Sequence, residues 1–141
     1  MKIRVINGPN LNMLGIREPE IYGHETYADL ENFILRGAAE LGVEAEVFQS
    51  NHEGCLVDHI QQALGAADAI VINPAAYTHT SVAILDALKA VGLPAVEVHL
   101  SDVQAREDFR RVSYPSLACV AVVAGLGFEG YRKAMELLLS Q

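Results

Sequence analysis

Apolar positions fall into two rhythms that alternate along the chain. Short runs rich in β-branched residues, apolar on both faces of the alternation, occupy Ile3 to Ile6, Val43 to Phe48, Ala69 to Ile72, Ala95 to Val98 and Leu117 to Ala124. Such runs fit strands of a parallel sheet covered on both sides. Between them apolar residues recur at helical spacing: Leu30, Phe33, Ile34, Ala38 and Leu41; Leu56, Ile60, Ala63, Leu64 and Ala67; Val82, Leu85, Leu88 and Ala90; and Tyr131, Ala134, Met135 and Leu138. Thr26, with Asp29 three residues on, caps the first of these and Gly42 stops it; Asn51 is read as the cap of the second, and the third ends at Gly92 before Pro94. The polar stretch Ser101 to Ser113 leaves room for one brief helix around Gln104 to Arg110.

This alternation predicts a single α/β domain over residues 1–141, a three-layer sandwich around five parallel strands in the flavodoxin-like order 2-1-3-4-5. Ligands of such sheets bind beyond the carboxyl ends of the strands, beside the switch point between strands 1 and 3. The chemically capable residues follow strands 1, 3 and 4. Strand 1 leads into a connection of about 20 residues where ~2 to 6 usually suffice. It runs from Asn7 to His24 and holds Arg17, Glu18, Tyr22 and His24, with Gly15 and Gly23 as hinges of a lid. A solvated loop with incidental charges is the alternative.

Strand 3 ends in Asn73-Pro74-Ala75-Ala76-Tyr77-Thr78-His79-Thr80-Ser81. An amide ending a buried strand costs free energy without partners, so Asn73 is expected to face the site. Tyr77 to Ser81 offers backbone N–H groups and hydroxyls at a helix start; ordinary capping by Thr78 or Thr80 is the competing explanation. Strand 4 ends in Glu97-Val98-His99-Leu100-Ser101, which puts Glu97 and His99 on one face. A carboxylate beside an imidazole fixes its tautomer and favours the protonated form, as a general acid requires. A structural hydrogen bond, or a metal site with His79 as third ligand, are the alternatives, and the metal reading lacks ligand-pair spacing.

Charge narrows the partners. A formal net charge of -8 argues against nucleic acid, while Arg106, Arg110 and Arg111 keep a small anion in play. Cys55 and Cys119 form no CxxC pair and read as core thiols of a reduced compartment. The N-terminus reaches turn residues too soon for a signal peptide, and no apolar run approaches the ~20 residues a membrane span needs, so a cytoplasmic protein is expected. Gly125 to Gly130 spells GxGxxG, but no strand and acidic residue follow as a dinucleotide site needs. Tight packing between strand and helix is the better explanation.

Asn7-Gly8-Pro9-Asn10-Leu11, Arg17-Glu18-Pro19 with Tyr22-Gly23, Asn73-Pro74 through Tyr77-Thr78-His79-Thr80-Ser81, Glu97-Val98-His99-Leu100-Ser101 and Ala105-Arg106-Glu107 with Phe109-Arg110 together resemble the type II 3-dehydroquinate dehydratases. The match runs in order over essentially the whole chain. The resemblance implies trans elimination of water from 3-dehydroquinate to 3-dehydroshikimate through an enolate, in the shikimate or the quinate pathway, with no metal or organic cofactor. It also implies a homo-oligomer, typically a dodecamer built from trimers.

Position by position, the resemblance implies Tyr22 as the base, ionised beside Arg17 because a free tyrosine has a pKa of ~10. His99 is the implied acid, oriented by Glu97, and Asn10 holds a water that stabilises the enolate. Asn73 and the backbone N–H groups of Leu100 and Ser101 receive the substrate carboxylate; His79 and Arg110 bind ring hydroxyls. Asp86 reaches a site across a subunit boundary, and Arg106 matches the motif without an assigned role. Glu18 and His24 receive none. Leu85, Asp102, Gln104 and Leu117-Ala118-Cys119 depart from the family's usual residues.

Overall fold

The computed structural model describes residues 1–16, 20 and 24–141. Arg17, Glu18, Tyr22 and Gly23, singled out in the first loop, lie outside the described residues. The strands are β1 (Lys2–Asn7), β2 (Glu44–Gln49), β3 (Ala69–Asn73), β4 (Ala95–His99) and β5 (Ala121–Ala124); the helices are α1 (Tyr27–Leu41), α2 (Glu53–Gln62), α3 (Val82–Val91) and α4 (Glu129–Leu139). All strand pairs are parallel and the order is β2-β1-β3-β4-β5, as expected.

The two faces of the sheet sort the apolar residues. Ile3 and Val5 of β1, Val71 of β3 and Val96 and Val98 of β4 pack with Leu30 and Ile34 of α1 and Tyr131, Met135 and Leu138 of α4. Their neighbours along the strands, Ile6, Ile70, Ile72 and Ala95, pack on the other face with Leu56, Ile60, Ile84 and Leu88 from α2 and α3. Each such aliphatic side chain, fully withdrawn from water, contributes roughly 1.5 to 3 kcal/mol. The central strand β3 is buried throughout because helices cover both sides, whereas the edge strand β2 keeps a polar face on which Glu44 and Glu46 pair with Lys2 and Arg4 of β1. Among the described residues no helix is long and apolar enough to cross a membrane.

Thr26 caps α1 through the expected reciprocal pair: its side chain accepts from the Asp29 N–H, and the Asp29 carboxylate accepts from the Thr26 N–H. Other expectations need correction. The cap position of α2 is His52, not Asn51, whose side-chain oxygen is instead taken by the Asn10 N–H and the Gln49 amide. Leu64 lies beyond the end of α2 and is exposed, and Val82 and Ala90 face solvent, so the buried stripe of α3 is Ile84, Leu85, Ala87 and Leu88. Leu85 is therefore a core position of this chain. The last strand begins at Ala121 rather than Leu117, because Pro115 starts a 3-10 turn over Pro115–Ala118. The single helix expected around Gln104 to Arg110 is two short 3-10 turns, Val103–Ala105 and Asp108–Arg111. Asp102 caps the first of these by accepting from the Gln104 N–H. Cys55 and Cys119 are free and only partly buried.

The switch point between β1 and β3 is tight. Pairing continues past the end of β1, with the Gly8 N–H donating to the Asn73 carbonyl at 2.8 Å. A Cβ on Gly8 would stand 2.6 Å from the Pro74 carbonyl oxygen, so only glycine lets the chain leave the sheet here.

Candidate active site

The ends of β1, β3 and β4 open into one cleft of about 610 Å³, its mouth included, to which the chain contributes Asn10 after β1, Asn73 and His79 after β3, and His99 and Ser101 at the end of β4. Arg106 and Arg110 close its other side. Every predicted site residue that is described, apart from Glu97 and Asp86, lines this cleft. Glu97 lies directly behind it, and Asp86 is on the exposed face of α3, outside the cleft of its own chain.

Glu97 and His99 project from the same face of β4, and the His99 Nε2 lies 2.6 Å from Glu97 Oε2, both side chains shielded from water. Burying a carboxylate requires further donors. Ser113 supplies one, its hydroxyl lying 2.8 Å from Oε1 and 3.0 Å from Oε2 of Glu97. With Nε2 held by the carboxylate, the proton His99 can deliver to a ligand is the one on Nδ1.

The segment after β4 is tied down residue by residue. Arg110 lines the cleft, with its Nε donating to Glu107. That bond is the main reason the Glu107 carboxyl is held below the usual range. The Val112 carbonyl accepts from Nδ1 of His79 at 2.7 Å, which leaves the His79 Nε2 for another partner. Ser113 reaches Glu97, and the Tyr114 N–H donates to the Thr78 carbonyl at 3.1 Å. Sequence reasoning missed both Ser113 and the anchoring role of Val112, since neither carries a signature in its own neighbourhood.

Capping at the start of α3 falls to Ser81, whose hydroxyl accepts from the Ile84 N–H at 2.9 Å. Thr78, one of the expected caps, has a buried hydroxyl with no partner among the described residues, and Thr80 is exposed. The GxGxxG run supports the cleft from behind: the N–H groups of Gly125 and Gly127 donate to the Ser101 and Leu100 carbonyls at 3.1 and 3.0 Å. Gly125 does so at φ +81° with Asp102 packed beside it, and Gly130 lets α4 approach Val98 and Val123. Among the described residues no three His, Cys, Asp or Glu side chains gather as metal ligands.

Asn10 starts the first loop at a left-handed φ of 69°. At the far end of that loop, His24 and Glu25 return to Gly15: a Cβ there would meet their carbonyl oxygens at 3.0 and 3.3 Å.

A parallel α/β sheet whose switch-point cleft combines a buried carboxylate–imidazole pair with amide and guanidinium donors is built for acid/base chemistry on a small anionic molecule. Within that class, the chain belongs to the class II dehydroquinases, whose family model matches residues 1–139. It is 58% identical over 138 residues to a 3-dehydroquinate dehydratase of Cereibacter sphaeroides, covering 98% of this chain and 94% of the relative. It is 59% identical over 135 residues to a catabolic 3-dehydroquinase of Verticillium alfalfae, covering 96% of this chain and 90% of that one. The crystal structure of a type II dehydroquinase from Butyrivibrio crossotus superposes with a TM-score of 0.96 at 50% identity, over 99% of this chain and 97% of the other.

Proposed function

We infer that this chain is a 3-dehydroquinate dehydratase, removing water from 3-dehydroquinate to give 3-dehydroshikimate in a biosynthetic or a catabolic pathway. Family membership over nearly the whole chain supports the activity. The observation that carries the chemistry is the Glu97–His99 contact of 2.6 Å at the edge of a cleft rich in donors. The proton beside the substrate ketone goes to Tyr22, made anionic by Arg17. The resulting enolate is stabilised through a water held by Asn10. His99 then gives its Nδ1 proton to the departing hydroxyl, which leaves as water, and the carbon–carbon double bond forms. Glu97 balances the imidazolium before that transfer.

Asn73 and the backbone N–H groups of Leu100 and Ser101 receive the substrate carboxylate, and His79 and Arg110 hold ring hydroxyls. No cofactor takes part. The enzyme works in the cytoplasm as a homo-oligomer, a dodecamer of four trimers, in which Asp86 serves a neighbouring cleft. Its exposure on α3, and the exposed apolar side chains Leu117, Val120 and Val122 around the edge strand β5, support that assembly.

The test is enone absorbance from 3-dehydroquinate. Folded wild-type protein without turnover overturns the activity, and a Tyr22→Phe variant that keeps more than about a tenth of kcat reassigns the base. A solution mass measured by light scattering decides the assembly.

A further inference from the structure

Tyr131 looks like an ordinary core position of α4 in the sequence, yet its hydroxyl is fully buried at the active-site end of the sheet. An unpaired buried hydroxyl costs about 1 to 3 kcal/mol. Here it is paired twice: it donates to Asn7 Oδ1 at 2.7 Å and accepts from Asn73 Nδ2 at 3.0 Å. Asn7 and Asn73 are register partners on β1 and β3, so one phenol bridges the two strands at the switch point. The row continues outward on both sides. Asn7 Nδ2 donates to the Tyr27 hydroxyl at 3.3 Å, and Asn73 Oδ1 accepts from the Ala75 N–H at 3.1 Å.

The directions of these bonds fit one another along the row. A phenol has one proton, and with that proton donated to Asn7 Oδ1 the Tyr131 oxygen accepts from Asn73 Nδ2. Turning the Asn73 amide over would set its NH2 group against the Ala75 N–H, donor against donor. The Asn73 amide is thus held at both ends, Oδ1 by the Ala75 N–H and Nδ2 by the Tyr131 oxygen, and the second proton on Nδ2 is the donor it has left for a ligand in the cleft it lines. Burial drives the Tyr131 hydroxyl far above the usual tyrosine range, so it stays protonated and the row keeps its polarity at working pH.

We propose that Tyr131 is a positioning residue: its hydroxyl locks Asn73 with the amide nitrogen as the group offered to the substrate, which makes the cleft select an oxygen acceptor such as a carboxylate. This rests on the reading of the cleft as the 3-dehydroquinate site. A positioned contact remote from the breaking bond is used equally in ground and transition states, so its loss appears in KM rather than kcat.

The experiment is steady-state kinetics of Tyr131→Phe in the full-length protein, alone and combined with Asn73→Ala. The expected result is a KM for 3-dehydroquinate raised about 10-fold with kcat within about 3-fold, and no further change in KM when Tyr131→Phe is added to Asn73→Ala. An unchanged KM in Tyr131→Phe, or the same fold-increase in both backgrounds, overturns the proposal, because a general structural weakening acts without regard to Asn73. Should circular dichroism show Tyr131→Phe unfolded, Asn7→Leu carries the same test by removing the acceptor that commits the phenol proton, with the same dependence on Asn73 expected. Wild-type inactivity is a different outcome and overturns the dehydratase reading instead.

Discussion

The Ser113 hydroxyl lies within reach of both carboxylate oxygens of Glu97, 2.8 Å from one and 3.0 Å from the other. It also accepts from the Ser116 N–H at 3.2 Å, so the turn leading to β5 holds the carboxylate that holds His99. Hydrogen bonds to charged groups are worth about 1.5 to 3 kcal/mol. Ser113→Ala is expected to lower kcat roughly 10-fold while Ser113→Thr restores most of it, measured by enone formation alongside thermal unfolding of each variant. Full activity in Ser113→Ala removes Ser113 from the relay.

His99 and Glu97 are in direct contact, so the effects of changing them are expected to couple. His99→Ala is expected to lower kcat by about 10² to 10⁴, the usual worth of a positioned acid. Glu97→Gln should produce a loss of comparable size, and the double variant should be little worse than either single one. Fully multiplicative losses would show that the two residues work independently.

The Cys119 thiol is pushed up to about 12, first by burial and then by the charge of Glu97. Unfolded, a cysteine ionises near ~8.5, so above that pH the unfolded chain loses a proton the folded chain keeps. Stability is therefore intact below pH ~8.5 and declines as pH rises toward 12, by up to ~1.4 kcal/mol per pH unit for one group. Tyr27 and Tyr131, both raised by burial, add losses of the same sign. The midpoint of thermal unfolding should fall steadily above pH ~9, less steeply in Cys119→Ala. Alkylation at pH 8 should spare Cys119 in the native protein and modify it once unfolded, since the thiolate is the reactive form.

Gly8→Ala should be among the most damaging single-methyl additions in the chain. The new carbon would lie 2.6 Å from the Pro74 oxygen, and that contact is backbone on both sides, so no rotamer relieves it. A loss of about 2 to 3 kcal/mol is expected on chemical denaturation, with activity falling further because Asn73 and Pro74 shift together.

The architecture was legible because helices on both sides of the sheet force mostly apolar inner strands, of which Ala69 to Ile72 is the clearest. Glu97 with His99 was legible because alternation along a strand is a local rule. What sequence could not supply were partnerships between distant residues. Tyr131 meets Asn7 across 124 positions, and Ser113 meets Glu97 across 16, each looking like an ordinary core or loop residue in its own neighbourhood. Leu117 failed as a strand residue for a different reason: β-branched and apolar composition predicted extended chain, and Pro115 opened a turn instead. Asn51 failed as a cap because Asn10 and Gln49, 41 and 2 positions away, had a claim on its oxygen.

The close approach of Gly15 to His24 and Glu25 makes the first loop a cassette with a fixed neck. Its two described ends meet at a left-handed glycine, packed beside Thr26, which already caps α1. Closing such a neck costs an entropy that grows only slowly with the length it encloses. Segments of different length and chemistry can therefore be exchanged between Gly15 and His24 while the sheet, the Glu97–His99 pair and the Tyr131 row stay where they are. A change in what the loop carries therefore need not disturb the Glu97–His99 contact on the sheet.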